Sequence, residues 1–402
     1  MTTGITAAVH PLDIAALRRL LPRRPRVLAL GEPTHGEDDL LDVRNELFRQ
    51  LVEEEGYRTI ALESDCLAGL AVDDYVASGE GDLDEVVARG LSHGFGQSAA
   101  NRDLVRWMRA YNEGRPAAER LRFAGFDGPL EITHAASPRP ALAALFAYLT
   151  AFVDASLLPG DAEALDRLLG HDERWTNPAA MMDPTQSVGR TPEAAQLRLL
   201  ADELVALLDE QTPHLIAASS REDWHRARLY GRTAVGLLRY HYWMADPSPA
   251  RMTHLLAQRA SMMAANLLAL AEQGPTLVYA HNAHLQRVKS SIRMWEGVAE
   301  WWSAGAIVSA HLGPEYAVVA TALGTIRHRG VEAPPTDTIE GHLYALPEQR
   351  YLVDARGLAG SVADTRLTPR ESSWFGYAPL DPVHLASYDG IVFVRAVTPR
   401  DA

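Results

Sequence analysis

The 402-residue sequence predicts an α/β fold, in which a central, mostly parallel sheet is flanked by helices and a helical insertion or subdomain occupies the middle of the chain. Three observations lead to this prediction. Short apolar runs bounded by polar or glycine residues recur near both ends of the chain. One stretch with helical periodicity separates the first two runs, and long alanine- and leucine-rich segments separate the two groups of runs.

Six runs are predicted to be β-strands, because short and almost continuous apolar stretches are typical of buried parallel strands. They are 26–32 (RVLALGE), 58–64 (RTIALES), 120–128 (RLRFAGFDG), 275–282 (PTLVYAHN), 315–323 (EYAVVATAL) and 388–397 (YDGIVFVRAV). Between the first two, Leu40, Leu47, Phe48 and Leu51 recur at helical spacing. Strand, helix and strand in succession are the unit of a parallel sheet.

The segment from about 139 to 273 is predicted to be a mainly helical subdomain within one domain that spans 1–402. Its long alanine- and leucine-rich stretches are separated by Pro, Gly and Asp clusters, which end helices. Farther along, 327–341 (RHRGVEAPPTDTIEG) is expected to be an exposed loop.

Composition limits the classes of partner. With 47% apolar residues the chain can bury a large core, and a net charge of -14 disfavours a nucleic-acid partner, which needs a basic face. No apolar run approaches 18 residues and the N-terminus does not resemble a signal peptide, so we expect a cytoplasmic protein without a membrane partner. The single cysteine, Cys66, is expected to be a buried thiol. The expected partner is a small-molecule substrate, and the oligomeric state is left open.

Four of the predicted strands end in ionisable or amide side chains. These are Glu32 and His35 after the first strand, Glu63 after the second, Asp127 after the third, and His281, Asn282 and His284 after the fourth. Functional side chains of open α/β sheets gather at the carboxyl ends of the strands, so we expect these residues to converge on one site.

Part of the segment that follows the first predicted strand, residues 33–39, has a structural explanation. Thr34 and Glu37 have the spacing of a capping box, and acids in a first helical turn complement the helix dipole. His35 is left without such an explanation, so we interpret it as functional, with an ordinary turn histidine as the alternative. Arg44 falls in the apolar stripe of the predicted helix; we expect it to bind Glu63 or Glu32, or else to extend to the surface.

Two chemistries fit these residues. His281 and His284, together with His35 and a glutamate, could bind zinc, although the sequence lacks the H-E-x-x-H pattern. Alternatively, a neutral imidazole at a helix N-terminus, oriented by a carboxylate, could take a proton from water without any metal. No G-x-S-x-G and no nucleotide-binding glycine motif follows a predicted strand. Trp295, within RMWEGVAEWW, could line an apolar pocket.

In order and approximate spacing, several segments resemble the erythromycin esterase family. They are GEPTHG, the downstream Arg44, IALES with Glu63, FAGFDG, QRASMMAAN and YAHNAHLQRVK, and the resemblance runs from about residue 28 to the final YDGIVFV. It implies an α/β fold with a deep cleft, which the helical subdomain 139–273 would cover. It also implies a hydrolase that opens the macrolactone ring of macrolide antibiotics with no metal or other cofactor.

The resemblance also implies roles for individual residues. The general base that activates water falls on His35, its supporting carboxylates on Glu32 and Glu63, the arginine on Arg44, and the second histidine cluster on His281 and His284. Asp127 and Arg259 match other recurring positions and, with Asn282 and Trp295, are expected to bind substrate. Pro33 and the region after His284 depart from the family's pattern, so the resemblance supports the reaction centre more than the substrate.

Three alternatives remain at this point. The chain could be a biosynthetic member of the family that hydrolyses or rearranges a different ester, lactone or epoxide of secondary metabolism, rather than an antibiotic-resistance enzyme. It could be a metal-dependent hydrolase. It could also be a non-catalytic protein that binds a ligand on the same scaffold.

Overall fold

The computed structural model describes residues 8–131, 134–294, 297–374 and 376–399. Its strands are β1 (Val9–His10), β2 (Val27–Glu32), β3 (Thr59–Asp65), β4 (Arg122–Asp127), β5 (Leu130–Glu131), β6 (His134–Ala135), β7 (Thr276–His281), β8 (Lys289–Met294), β9 (Gly297–Trp302), β10 (Tyr316–Thr325), β11 (Arg350–Asp354) and β12 (Gly390–Ala396).

Its helices are α1 (Ile14–Leu20), α2 (Asp38–Glu55), α3 (Gly69–Ser78), α4 (Leu83–Gly90), α5 (Ala99–Asn112), α6 (Arg139–Phe152), α7 (Ala162–Leu169), α8 (Asp172–Trp175), α9 (Pro192–Glu210), α10 (Thr212–Ala218), α11 (Arg221–Met244), α12 (Arg251–Gln273), α13 (Asn282–Leu285), α14 (Ala304–Leu312), α15 (Ile339–Tyr344) and α16 (Ala355–Ser361). Short 3₁₀ turns, such as Phe95–Gln97, join several of them.

Eight strands form the central sheet, in the order β1-β11-β12-β10-β2-β7-β3-β4. From β12 to β4 all neighbours are parallel, while β11 is antiparallel to both β12 and β1. The predicted α/β class is therefore confirmed, and all six predicted runs are strands of this sheet. The short strand β11 and the separate β8–β9 hairpin were not predicted, because neither has a long apolar run.

Helices cover both faces of the sheet because successive strand residues alternate between two apolar layers. On β2, Leu28 and Leu30 pack in the layer covered by α1 to α5. Val27 and Ala29 pack in the opposite layer, which α12, α14, α15 and α16 cover. The carboxyl ends of the parallel strands thus open between two layers of helices.

The predicted capping box at the start of α2 is wrong. The helix begins at Asp38, and Glu37 occupies the cap position without a side-chain hydrogen bond to the helix. Thr34 lies four residues before the helix, because the chain makes an extra turn through Gly36, whose φ is 79°. The carboxylate of Glu37 instead binds His328, at 3.0 Å.

Helices α6 to α12 fill the segment from 139 to 273, as the sequence predicts. Most of them share an apolar cluster of their own, which includes Leu142, Leu197, Leu204 and Leu238. Helix α12 also contacts β4 and β9. The division of the chain into one domain with a helical subdomain over the cleft stays a prediction.

The segment 327–341 is only partly the exposed loop that the sequence predicts. Thr338 and Glu340 are fully buried, because Thr338 caps α15 and Glu340 packs inside the protein as a residue of that helix. Cys66 is buried, as predicted, with its sulfur 3.4 Å from the Thr233 hydroxyl. None of the described helices has the length and apolarity that crossing a lipid bilayer requires.

Candidate active site

The predicted convergence at the carboxyl edge of the sheet follows from strand register. Glu32, the last residue of β2, pairs with His281, the last residue of β7, and β3 lies on the other side of β7. The register of β3 against β4 shifts between 62 and 65, around Glu63. Such an irregularity turns a side chain out of the regular alternation. Asp127 ends β4, so the acids of three strands and one histidine lie along one edge.

Glu32 holds the ring of His35. Nδ1 of His35 lies 2.7 Å from Oε1 of Glu32, and the other carboxylate oxygen accepts a hydrogen bond from the Tyr279 hydroxyl at 2.7 Å. The Glu32 side chain is 3% exposed, whereas the His35 side chain is 40% exposed. A buried carboxylate therefore fixes an imidazole whose remaining edge can reach solvent.

The surroundings of His35 favour its protonated form. Burial alone would lower the pKa of His35, but the hydrogen bond to Glu32 and the negative charges of Glu63 and Glu32 outweigh it and raise the pKa to about 9. The sequence predicts a neutral imidazole at a helix N-terminus, and the structure differs because α2 begins three residues later and two carboxylates surround the ring.

Glu63 is the centre of the cluster. Its Oε1 lies 3.1 Å from Nη2 of Arg259, 3.1 Å from Nε2 of His284 and 4.0 Å from Nε2 of His35, while Oε2 accepts the His281 backbone N–H at 2.9 Å. Burial alone would raise the pKa of Glu63, but His284, His35 and Arg259 outweigh it and hold the pKa well below its ordinary value. Glu63 is a carboxylate in the folded protein.

The two histidines of the AHNAH segment differ in environment. Burial and the nearby charge of His35 lower the pKa of His281 to about 3, so this ring is neutral. It accepts a hydrogen bond from the Ala283 N–H, at 3.2 Å, and the Pro33 carbonyl accepts one from it. His281 thereby ties β7 to the turn that carries His35. His284 faces Glu63, and its buried Nδ1 has no hydrogen-bond partner among the described residues.

A second cluster adjoins Glu63 at the end of β4. Both carboxylate oxygens of Asp127 accept hydrogen bonds from Arg259, Oδ1 from Nε at 3.1 Å and Oδ2 from Nη2 at 2.6 Å. Oδ2 also lies 3.2 Å from Nε2 of His93. The same guanidinium reaches Glu63, so it bridges two carboxylates. Burial alone would raise the pKa of Asp127, but Arg259 and His93 outweigh it and lower the pKa.

Arg44 is 1% exposed, which excludes a side chain that extends to the surface. Its hydrogen bonds go to Asn45, at 2.8 and 3.1 Å, rather than to Glu32 or Glu63 as predicted. The guanidinium lies 5.0 Å from the centre of the Tyr279 ring, so it approaches Glu32 across that ring. Strand β7 places Tyr279 between Arg44 on α2 and Glu32 at the end of β2, and the sequence could not show this arrangement.

Asn282 holds two parts of the sheet together. Its Nδ2 donates to the Thr321 carbonyl at 2.9 Å, and its Oδ1 accepts the Thr321 N–H at 3.2 Å. Both polar atoms of the amide are therefore engaged by the backbone of β10. The expectation that Asn282 binds substrate stays a prediction. Trp295 lies outside the described residues.

A cavity of about 490 Å³ opens beside His35. Four of the predicted site residues line it, namely Glu32, His35, Arg44 and Glu63. The other described ones lie outside its lining, namely His281, His284, Asp127, Arg259 and Asn282. Arg259, His284 and His281 contact Glu63 from outside the cavity lining, and Asp127 binds Arg259, whereas Asn282 binds the backbone of β10. Within the described ranges, no three His, Cys, Asp or Glu side chains are arranged to hold a metal ion.

Sequence reasoning missed several residues of the cavity wall. They are Tyr279, His93, Phe95, and His328 and Arg329, which bind Glu37 at the rim. Tyr279 lies two residues before His281 on the same strand, and this spacing places both side chains on one face. The segment LSHGFGQS, with a His-Gly pair in a loop, was the available signal for His93.

Comparisons with known proteins agree with this architecture. A curated protein described as erythromycin esterase type II, from Escherichia coli, is 31% identical over 117 residues, which is 29% of this chain and 26% of that relative. The match thus spans about a quarter of the relative's length. A solved succinoglycan biosynthesis protein superposes with a TM-score of 0.73 at 16% identity, covering 99% of this chain and 97% of that chain.

A mutant of the erythromycin esterase EreC, solved in its open conformation, superposes with a TM-score of 0.67 at 17% identity, covering 97% of this chain and 95% of that chain. At such identities the structural likeness shows the fold alone. The model of the family described as erythromycin esterase matches residues 52–397, a range that begins after β2 and the turn with His35. Because that match covers most of the sequence, the chain belongs to the erythromycin esterase family.

Proposed function

We propose that this protein hydrolyses the lactone or ester bond of a macrolide or a similarly bulky natural product, using a water molecule that His35 activates. Membership of the erythromycin esterase family supports a hydrolase. The observation that carries the finer proposal is the ring of His35, which Glu32 holds at 2.7 Å on the wall of a 490 Å³ cavity beside Glu63. Cavities of this size bind drug-sized ligands.

The hydrogen bonds assign the two ring nitrogens different tasks. Nδ1 donates to Glu32, which leaves Nε2 as the atom that can accept a proton. Nε2 is 4.0 Å from Glu63, beyond hydrogen-bond distance. In the proposed reaction the water oxygen attacks the ester carbonyl carbon while its proton moves to Nε2. The carbon–oxygen bond then breaks, and the leaving alkoxide takes that proton, which yields an acid and an alcohol.

The raised pKa of His35 gives this mechanism a pH dependence. With a pKa of about 9, the imidazole is neutral in about one molecule in a hundred at pH 7. Only the neutral ring can accept a proton from water. The rate should therefore rise about tenfold per pH unit and level off near pH 9, until another group titrates or the ester hydrolyses by itself.

The remaining charged residues support the imidazole. Glu32 stabilises the imidazolium that forms when His35 takes the proton, and Arg44 stabilises Glu32 across the Tyr279 ring. Arg259 and His284 keep Glu63 ionised. These contacts also support a metal-independent reaction, because a cation at Glu63 would have to displace a guanidinium that already occupies the same oxygen.

The test uses erythromycin and a panel of other macrolides, lactones and simple esters, incubated with the protein in water enriched in ¹⁸O and analysed by mass spectrometry. We expect a product heavier by one water, with the label in the new carboxylate. A rearranged product of unchanged mass would support the biosynthetic alternative. Tight retention of a macrolide without chemical change, and no turnover of any ester, would contradict the proposal and favour a binding protein.

A further inference from the structure

The loop between α4 and α5 contains an unusual backbone. His93 has a φ of 58°, and among the described non-glycine residues it alone has a positive φ. Gly94 follows with a φ of 75°. Left-handed conformations cost most L-residues about 1–2 kcal/mol, so a non-glycine residue holds one only when its surroundings determine it.

Two carboxylates hold His93 in this conformation. Glu131 accepts hydrogen bonds from the His93 backbone N–H at 3.4 Å and from ring Nδ1 at 2.9 Å. Asp127 lies 3.2 Å from Nε2, and Arg259 fixes that carboxylate from its other side. Burial alone would lower the pKa of His93, but Asp127 and Glu131 outweigh it and raise the pKa. The ring can then donate to both acids at once.

This turn places the ring of Phe95 next to His35, the proposed base. Phe95 meets the His93 ring edge-on, with ring centroids 5.7 Å apart, and its centroid also lies 5.2 Å from that of the His35 ring. The Phe95 carbonyl accepts a hydrogen bond from Nδ2 of Asn101 at 2.9 Å, which fixes the exit of the turn. His93, Gly94 and Phe95 all line the cavity.

We propose that the turn 93–95 sets the geometry of the reaction site, with His93 as a positioning residue that holds Phe95 against His35, and with Phe95 as a specificity-determining residue. The ring of Phe95, whose centroid lies 5.2 Å from that of the imidazole at an angle of 56°, limits rotation of the imidazole and forms an apolar part of the cavity wall beside it. The favoured substrates are esters with an apolar group that packs flat on this wall. The inference rests on the proposed function.

The contacts around His35 make the effect of Phe95 separable from charge. The charged and titratable groups that face the imidazole are Glu32, Glu63, His281 and Arg259. Phe95 adds only burial, which opposes protonation of a histidine. Replacement of Phe95 by alanine should therefore raise the pKa of His35, by roughly half a pH unit, without removing any charged partner.

The experiment compares Phe95→Ala, Phe95→Leu, His93→Gly and His93→Asn with the unmodified protein. Glycine adopts the left-handed conformation but removes the ring that binds Glu131 and Asp127. Asparagine tolerates that conformation and keeps one side-chain donor. The ring signals of His35, assigned with His35→Asn, are titrated by NMR. In parallel, kcat and KM are measured on erythromycin and on p-nitrophenyl butyrate.

We expect Phe95→Ala and His93→Gly to raise the His35 midpoint in the same direction and to raise KM about fivefold, with smaller effects in Phe95→Leu and His93→Asn. Phe152→Leu is the matched control, because Phe152 is also partly buried and ring-packed, on Tyr148, but lies in the helical region. It should leave the His35 midpoint unchanged.

An unchanged His35 midpoint in folded Phe95→Ala and His93→Gly would overturn the inference, even if the unmodified protein hydrolyses esters. If the unmodified protein turns over none of the esters, the proposed function fails, and the NMR titration still decides whether the turn controls the ring of His35. If His93→Gly does not fold, an unchanged His35 titration midpoint in Phe95→Ala alone rejects the proposed role of Phe95.

Discussion

Replacement of Glu32 by glutamine isolates the contact that carries the mechanism. The substitution keeps the shape of the side chain but replaces the charge-assisted hydrogen bond to Nδ1 of His35, now 2.7 Å long, by a neutral one. A hydrogen bond to a charged group contributes about 1.5–3 kcal/mol, and one pKa unit corresponds to about 1.4 kcal/mol. The pKa of His35 should then fall from about 9 by about one to two units.

The rate should change in a pattern that depends on pH. Glu32 stabilises the resting imidazolium and the imidazolium of the transition state alike, so Glu32→Gln should lower the plateau of kcat/KM at high pH by about 10- to 150-fold. Below pH 7 the two effects nearly cancel, because the base is weaker but more of it is neutral. The pH profiles of variant and unmodified protein should therefore converge at low pH and separate at high pH.

The assay is a pH profile of kcat/KM from pH 5.5 to 9.5, together with an NMR titration of the His35 ring. Glu37→Gln is the matched control, since Glu37 also binds a histidine on the cavity wall, His328 at 3.0 Å, and it should leave the His35 midpoint in place. A Glu32→Gln profile with the original midpoint and plateau would refute the assignment of Glu32 as the partner of the base.

Three further predictions concern stability and metal. Glu63→Gln should lower the free energy of unfolding at pH 7 by about 3 kcal/mol in urea titrations, because Arg259 and His35 lose a buried carboxylate as their partner. Since the pKa of Glu63 is lowered in the folded state, this difference should shrink as pH falls below about 4.5, and a constant difference would contradict it. Gly31→Ala should lower the free energy of unfolding by about 1–3 kcal/mol, because the added Cβ would lie 2.1 Å from Oδ1 of Asn282. In the control Gly360→Ala the added Cβ meets open space, so the same thermal unfolding scan should show little change. Dialysis against EDTA should leave ester turnover unchanged, and stoichiometric zinc in protein purified without added metal would argue for the metal-dependent alternative.

The strand ends were predictable because they depend on local pattern. The apolar runs before Glu32, Glu63 and Asp127 identify parallel strands. Because functional side chains gather at the carboxyl ends of such strands, the three acids could be predicted to lie close together. The same local pattern led to the wrong capping box at Thr34, because spacing alone does not show that the chain turns once more at Gly36 before the helix begins.

Contacts between distant segments were not predictable in this way. Glu37 has the sequence position of a dipole-complementing acid, yet its partners His328 and Arg329 lie almost 300 residues later. His93 reaches Asp127 only because a loop folds over the end of β4. The charge state of an imidazole depends on all such neighbours together. The position of His35 shortly before a helix therefore predicted a neutral ring, whereas its neighbours favour the protonated one.

The most direct test of the mechanism is turnover by a His35→Asn variant across the pH range. Asparagine keeps a polar group in the turn but has no atom that accepts a proton from water near neutral pH. We expect a folded protein with a lower thermal unfolding midpoint than the unmodified protein, because the buried Glu32 carboxylate loses its charged partner. We also expect no hydrolysis above the uncatalysed rate from pH 5.5 to 9.5. Hydrolysis at the unmodified rate by this variant would contradict the assignment of His35 as the base.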